Sequence, residues 1–234
     1  MKFLSPLPDA PRSAPDMVAL RLRDAITTGE LRPGDQLPPE TQLAKSFGIA
    51  LMTVRVALNA LRDMGLLSTV RGRNGGTFVA IDVGNKLMEA ARQAPLSRAE
   101  LRDLTDWRRA ISGEACFFAA TRATRQDLEA IRAAGNEFDS LIHQFPELRF
   151  GDARLHSLIA KVSGSEALLR SEMEIQRILT DVILCIEKPK GTKDLPGYSH
   201  DEIIAAIAKG DGELARTVMI NHAEGTFTWA TLLL

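Results

Sequence analysis

The sequence predicts a mainly α-helical protein, with an N-terminal winged helix-turn-helix followed by an all-α antiparallel helix bundle. Three observations carry that reading. Residues 16–64 hold three apolar stripes at helical spacing, punctuated by glycine and proline. Two β-branched or apolar runs, Leu66 to Val70 and Thr77 to Ile81, then bracket the hexapeptide RGRNGG, a hairpin pattern. From Ser97 onward helix follows helix, and no credible strand remains.

The elements follow in order. In the first helix, Asp16 to Thr28, Val18, Leu22 and Ile26 with Ala19 and Ala25 form one face, and Gly29 stops it. Pro33-Gly34 marks a turn. Pro38-Pro39 opens the second helix, where the first amides need no helical partner. That helix runs to about Phe47, with Leu43, Ala44 and Phe47 inward and Gly48 as its stop. The third helix, about Thr53 to Met64, buries Val54, Leu58 and Leu61 and leaves Thr53, Arg55, Asn59 and Arg62 outward. A short helix over Lys86 to Gln93 bridges to the second half. There Ser97 and Glu100 form a capping-box pattern ahead of a stripe of Leu101, Leu104, Ile111, Ala115 and Phe118. Five more helices follow, the last two broken at Gly210. The expected organisation is an arm at 1–15, a winged domain at 16–81, a linker at 82–96 and a helical domain at 97–234.

Charge narrows the partner. Residues 1–80 carry ten Lys/Arg against seven Asp/Glu, while the remainder carries nineteen against twenty-three, giving the net −1 of the chain. A basic N-terminal end on a nearly neutral chain suits DNA binding through a patch. No run approaches the twenty apolar residues of a membrane span, and the N-terminus lacks the apolar core of a signal peptide, so a cytoplasmic location is expected. Cys116 and Cys185 lie far apart in apolar helical patterns and read as reduced thiols.

From Gly29 to Ala80 the residues PG, LP, E, LA, G, VR, AL, L, G and a glycine-rich wing resemble, in order and without gaps, the N-terminal domain of GntR-family transcription regulators. That resemblance implies that Thr53, Arg55 and Arg73 face double-stranded DNA. Arg55 can present two donors to a guanine edge, Thr53 can bind a phosphate, and Arg71 at the wing reaches a phosphate. Where many relatives carry an arginine before the VR pair, this chain has Leu51, and Thr41 stands where some relatives carry a basic residue. The family's operator sequence is therefore not expected to transfer.

The second half holds candidate metal ligands. Asp152 and His156 are four apart and share a helical face; His200 opens a later helix and His222 lies near the end of the last. One carboxylate oxygen and three imidazole nitrogens suit a divalent transition metal such as zinc, nickel or manganese. The spacing alone carries little, because an Asp-x-x-x-His pair recurs by chance. The segments LRDLTDWRRAISGEACFFAATRAT, FGDARLHSLIAKVSGS and SHDEIIAAIAKGDGELARTVMINH also resemble the FCD effector-binding domain of FadR-type GntR regulators. The resemblance implies a metal held by Asp152, His156, His200 and His222, zinc foremost. It also places Arg108 at the arginine of an R-x-x-x-E pattern whose glutamate is replaced here by Ser112. Arg108 beside a metal would suit a small organic acid effector. His143 falls outside the pattern and reads as a surface histidine. The expected protein is a homodimeric regulator, a repressor as is most common in that family, acting on a palindromic operator with no membrane partner. A metal-dependent hydrolase-like enzyme fused to a DNA-binding domain, or an FCD regulator with no metal and a larger effector, are the alternatives.

Overall fold

The computed structural model describes residues 13–72, 75–92, 96–186 and 199–233. The elements run α1 (Ala14–Thr27), α2 (Glu40–Phe47), α3 (Leu51–Asp63), β1 (Leu67–Val70), β2 (Gly76–Val79), α4 (Val83–Ala91), α5 (Arg98–Arg122), α6 (Arg125–Ser140), α7 (Glu147–Val162), α8 (Glu166–Cys185), α9 (Asp201–Ala208) and α10 (Gly212–Leu233). Among the described residues no single helix is long and apolar enough to cross a membrane. Among the described residues two compact units form, one drawing on 13–25 and 32–83, the other on 26–31 and 84–233.

The first unit is the winged helix-turn-helix. Val18 and Leu22 of α1, Leu43 and Ala44 of α2, and Val54, Ala57, Leu58 and Leu61 of α3 are buried, so the sequence stripes do point inward. Gly48 makes the turn between α2 and α3: it sits in the left-handed region at φ 66°, and its amide reaches back to the Ala44 and Lys45 carbonyls. The two helices cross at 114°, the angle of a helix-turn-helix. β1 and β2 pair antiparallel with Leu67 opposite Val79 and Val70 opposite Gly76. A short third piece at Asp35–Leu37, unforeseen in the sequence, adds to the outer edge of β2. There the Leu37 amide donates to Thr77 O at 2.8 Å and the Val79 amide to Asp35 O at 2.9 Å. The third helix begins at Leu51, two residues earlier than periodicity indicated, because Ala50 is extended and the Thr53 and Val54 amides already bond its carbonyl.

The second unit is a helical bundle. Ser97 and Glu100 close the capping box of α5, and Thr124 and Asp127 form another at α6. α4 starts at Val83 rather than Lys86, with Val83 and Leu87 buried. Two apolar clusters build the interior. Cys116, Ala119, Ile131, Leu155, Ile159, Ile203, Ile207 and Met219 make one; Leu101, Leu104, Ile175, Leu179, Val182 and Ala230 make the other. Along α5 the two clusters are separated by Arg108 and Ser112, and along α10 by Thr226. That interruption is a buried polar layer. Leaving polar groups among apolar ones costs stability unless each finds a partner, so the layer is where function is expected to reside.

Candidate nucleic-acid interface and buried metal-ligating cluster

On the first unit, α3 turns Met52, Arg55, Val56 and Asn59 toward solvent, while Thr53 and Leu51 are half-buried. Arg55 is not loose: its Nε donates to Glu40 Oε2 at 2.9 Å. This leaves the two terminal nitrogens free to point outward as a fork. Glu40, at the start of α2, is a positioning residue that sequence reasoning passed over. Arg62, expected to face outward, is half-buried: Nη1 donates to Asn59 Oδ1 at 2.7 Å and Nη2 to Thr77 Oγ1 at 2.9 Å, tying α3 to β2. Arg71 is exposed just past β1. Arg73 lies outside the described residues.

In the second unit, three elements bring four side chains into one layer. Asp152 and His156 come from adjacent turns of α7, His200 from the residue that precedes α9, and His222 from α10. His222 lies midway along α10 rather than near its end, because the helix continues unbroken to Leu233. One ligand atom from each of the four lies within 4.8 Å of the others. His200 Nε2 stands 2.9 Å from Asp152 Oδ1 and 3.2 Å from His156 Nε2, with His156 Nε2 3.7 Å from the same carboxylate oxygen. Phe138 meets the His200 ring edge-on at 4.6 Å and fixes its tilt. His143, in contrast, is exposed in the turn before α7.

The electrostatics suit metal ligation. Burial, reinforced by neighbouring cations and imidazoles, holds His156 and His222 well below the usual histidine range, so both rings are neutral with a lone pair to give. Burial alone would push Asp152 up, but the Arg149 guanidinium and the histidines hold it well below the carboxylate range. Nδ1 of His200 and of His222 is buried without a hydrogen-bond partner. Two imidazole lone pairs facing each other at the 3.2 Å between His156 Nε2 and His200 Nε2 would repel unless a proton or a cation lay between them. The donor set of one carboxylate and three imidazoles fits a borderline divalent transition ion better than calcium or magnesium, which prefer oxygen.

Two buried arginines border the cluster. Arg108, far from being a surface residue, is 2% exposed. Its Nη2 lies 3.2 Å from His156 Nε2 and its Nη1 donates to Thr226 Oγ1 at 3.1 Å, while its Nε has no partner. Burial lowers its pKa from the ordinary arginine value. Arg149, which the sequence reading missed, donates to Asp152, to Thr180 Oγ1 at 3.1 Å and to Gln176 O at 3.0 Å. Burial pushes it down to about 10, so it stays charged at neutral pH.

Glu172 is the other residue missed. Its Oε2 accepts from Ser112 Oγ at 2.6 Å and its Oε1 from Gln176 Nε2 at 2.6 Å. Ser112 therefore does not leave the layer without a carboxyl group: one arrives from α8 instead of α5. A signal was present, since Glu172, Gln176 and Thr180 fall at i, i+4, i+8, one row on the face of α8 that also holds Ile175 and Leu179. Burial raises the Glu172 pKa above its ordinary 4.5. A carboxyl raised on folding stabilises the fold only while protonated, so stability falls as pH rises from about the unfolded value through the folded one. Glu172→Gln should flatten that fall. Urea midpoints across the acid-to-neutral range would show the variant gaining on the parent as pH rises, and parallel curves would contradict the assignment.

A DNA-reading winged domain in one chain with a bundle holding a polar, charged interior defines the class of transcription regulators that sense a small molecule. The chain matches the model of bacterial regulatory proteins of the gntR family over residues 15–79 and that of the FCD domain over residues 103–225. It belongs to the GntR family, in the group with a C-terminal FCD domain. HTH-type transcriptional regulator LutR of Bacillus subtilis (strain 168) is 30% identical over 203 residues, covering 84% of this chain and 92% of the relative. The Uxu operon transcriptional regulator of Escherichia coli (strain K12) is 26% identical, covering 88% and 82% respectively. The solved structure of E. coli McbR/YncC shares the fold, with a TM-score of 0.55 at 17% identity over 95% of this chain and 99% of that one. Membership in a family of DNA-binding regulators sets the hydrolase alternative aside.

Proposed function

We propose that this regulator is a repressor that binds a palindromic operator as a homodimer, and that a small organic acid bound at the polar layer changes its operator affinity. Asp152, His156, His200 and His222 would hold a divalent transition metal, zinc foremost. Such an ion supplies a Lewis acid to which a carboxylate oxygen can bind. The observation that carries the reading is Arg108: a buried guanidinium next to the ligand cluster, with no carboxylate in salt-bridge range among the described residues. An unpaired buried charge is costly, and an effector carboxylate would relieve it through a two-donor contact. Arg149 and Glu172 then bound the space and set its charge. Two copies are needed because one winged domain reads only a half-site.

The test combines metal analysis of the purified chain with thermal shift against a panel of mono-, di- and tricarboxylates, with and without chelator. A matching acid at a hundredfold excess over its Kd should add about 2.7 kcal/mol of stability. Near-stoichiometric metal and chelator-sensitive stabilisation are the expected results. Equal stabilisation with and without chelator would remove the metal from sensing. For DNA, Arg55→Ala should weaken specific operator binding by about 1–3 kcal/mol with the fold intact, because the fork faces solvent. Unchanged affinity in a titration at fixed salt would take Arg55 out of the interface.

A further inference from the structure

The outward face of α3 is unusually apolar for a helix that enters a DNA groove. Met52 is 63% exposed and Val56 51%. They lie one turn apart in an apolar row, with Arg55 to one side of it. The basic groups of the same surface are partly committed: Arg55 Nε to Glu40, and both terminal nitrogens of Arg62 to Asn59 and Thr77. Leu51, which replaces an arginine of the family pattern, is half-buried and so contributes little to this face. What remains for direct base reading is one guanidinium fork beside two apolar tips.

We propose that Met52 and Val56 are specificity-determining residues that read the 5-methyl groups of thymines beside the base contacted by Arg55. The reasoning is chemical. In the major groove the thymine methyl is the one apolar feature on a base edge, and an apolar side chain gains by covering it. Against cytosine, guanine or adenine the same side chains would cover donors and acceptors without satisfying them, which costs binding. The half-site is thus a position contacted by Arg55 with thymine-bearing pairs beside it. The inference rests on α3 being the groove-entering helix, and the experiment separates the two.

A preferred sequence is selected from random duplex DNA with the full chain, and each thymine in it is then replaced singly by deoxyuridine, which removes only the methyl. One or two positions per half-site should lose about fourfold in affinity, the value of one buried methyl-sized group at tenfold per 1.4 kcal/mol. Met52→Ala and Val56→Ala, which fold normally because both sites are exposed, should each become indifferent to deoxyuridine at one position. A preferred sequence bound equally well with deoxyuridine at every thymine would overturn the inference. So would methyl sensitivity that persists at every such position in both variants. If Arg55→Ala also leaves binding to the selected sequence unchanged, α3 is not the reading helix and the underlying assignment falls with it.

Discussion

His200→Ala is expected to leave purification with little bound metal and with a melting curve that chelator no longer moves. The residue precedes α9 and its side chain makes no cap hydrogen bond there, so the substitution removes a ligand without unwinding the helix. It does remove a buried ring packed on Phe138, and truncation alone lowers stability. Chelator sensitivity is therefore the discriminating readout. In the parent protein a metal present at a thousand times its Kd contributes about 4 kcal/mol to the folded state. Stripping it should lower the melting temperature by about 10 °C in a chain of this size. Retention of stoichiometric metal in the variant, or an unmoved parent curve on chelation, would sink the four-ligand site. Basal operator binding should survive, because the winged unit has its own core.

Arg149→Met should be among the most destabilising single substitutions in the bundle. Arg149 is 2% exposed and ties α7 to α8 through Thr180 and Gln176 while neutralising Asp152. Methionine fills the volume but supplies no donor, leaving the half-buried Asp152 carboxylate only its imidazole neighbours and the Gln176 carbonyl only the Thr180 hydroxyl. Removing one member of a buried ion pair costs about 3–5 kcal/mol. The urea midpoint should fall accordingly with an unchanged slope. Arg149→Lys should recover only part, since a single ammonium cannot span Asp152, Thr180 and Gln176 at once. A loss below about 1 kcal/mol for Met would show that the charge is not satisfied in the way described.

The two substitutions test different halves of one design. In the proposed site the histidines rely on Asp152 for the carboxylate of the ligand set, and Arg149, together with the histidines, holds Asp152 ionised. Should the Met variant fold, it is expected to hold metal more weakly as well, through a residue that touches no ligand but Asp152.

Much of this was legible in one dimension. The helices were readable because their apolar residues recur at helical spacing, and two of their ends because Gly48 and Ser97 have local jobs that need no distant partner. The wing was readable for the same reason, as two β-branched runs around a glycine-rich turn. Asp152 and His156 were visible as an i, i+4 pair. Arg149, Glu172 and Glu40 were not, because their roles depend on which helix comes to lie opposite, and a charged residue in a helix reads equally well as solvated.

The sequence by itself determined the fold class, the order of the elements, the family and the identity of the four candidate ligands. Those follow from periodicity, capping chemistry and ordered motifs, all of which act over a few residues. Only the tertiary structure decided that Arg108 is buried, that Glu172 of α8 supplies the carboxyl absent from α5, that Arg55 leans on Glu40, and that Met52 rather than Leu51 faces outward. Each of these depends on through-space packing of segments distant in the chain, where burial sets the cost of a charge and the nearest partner sets its role.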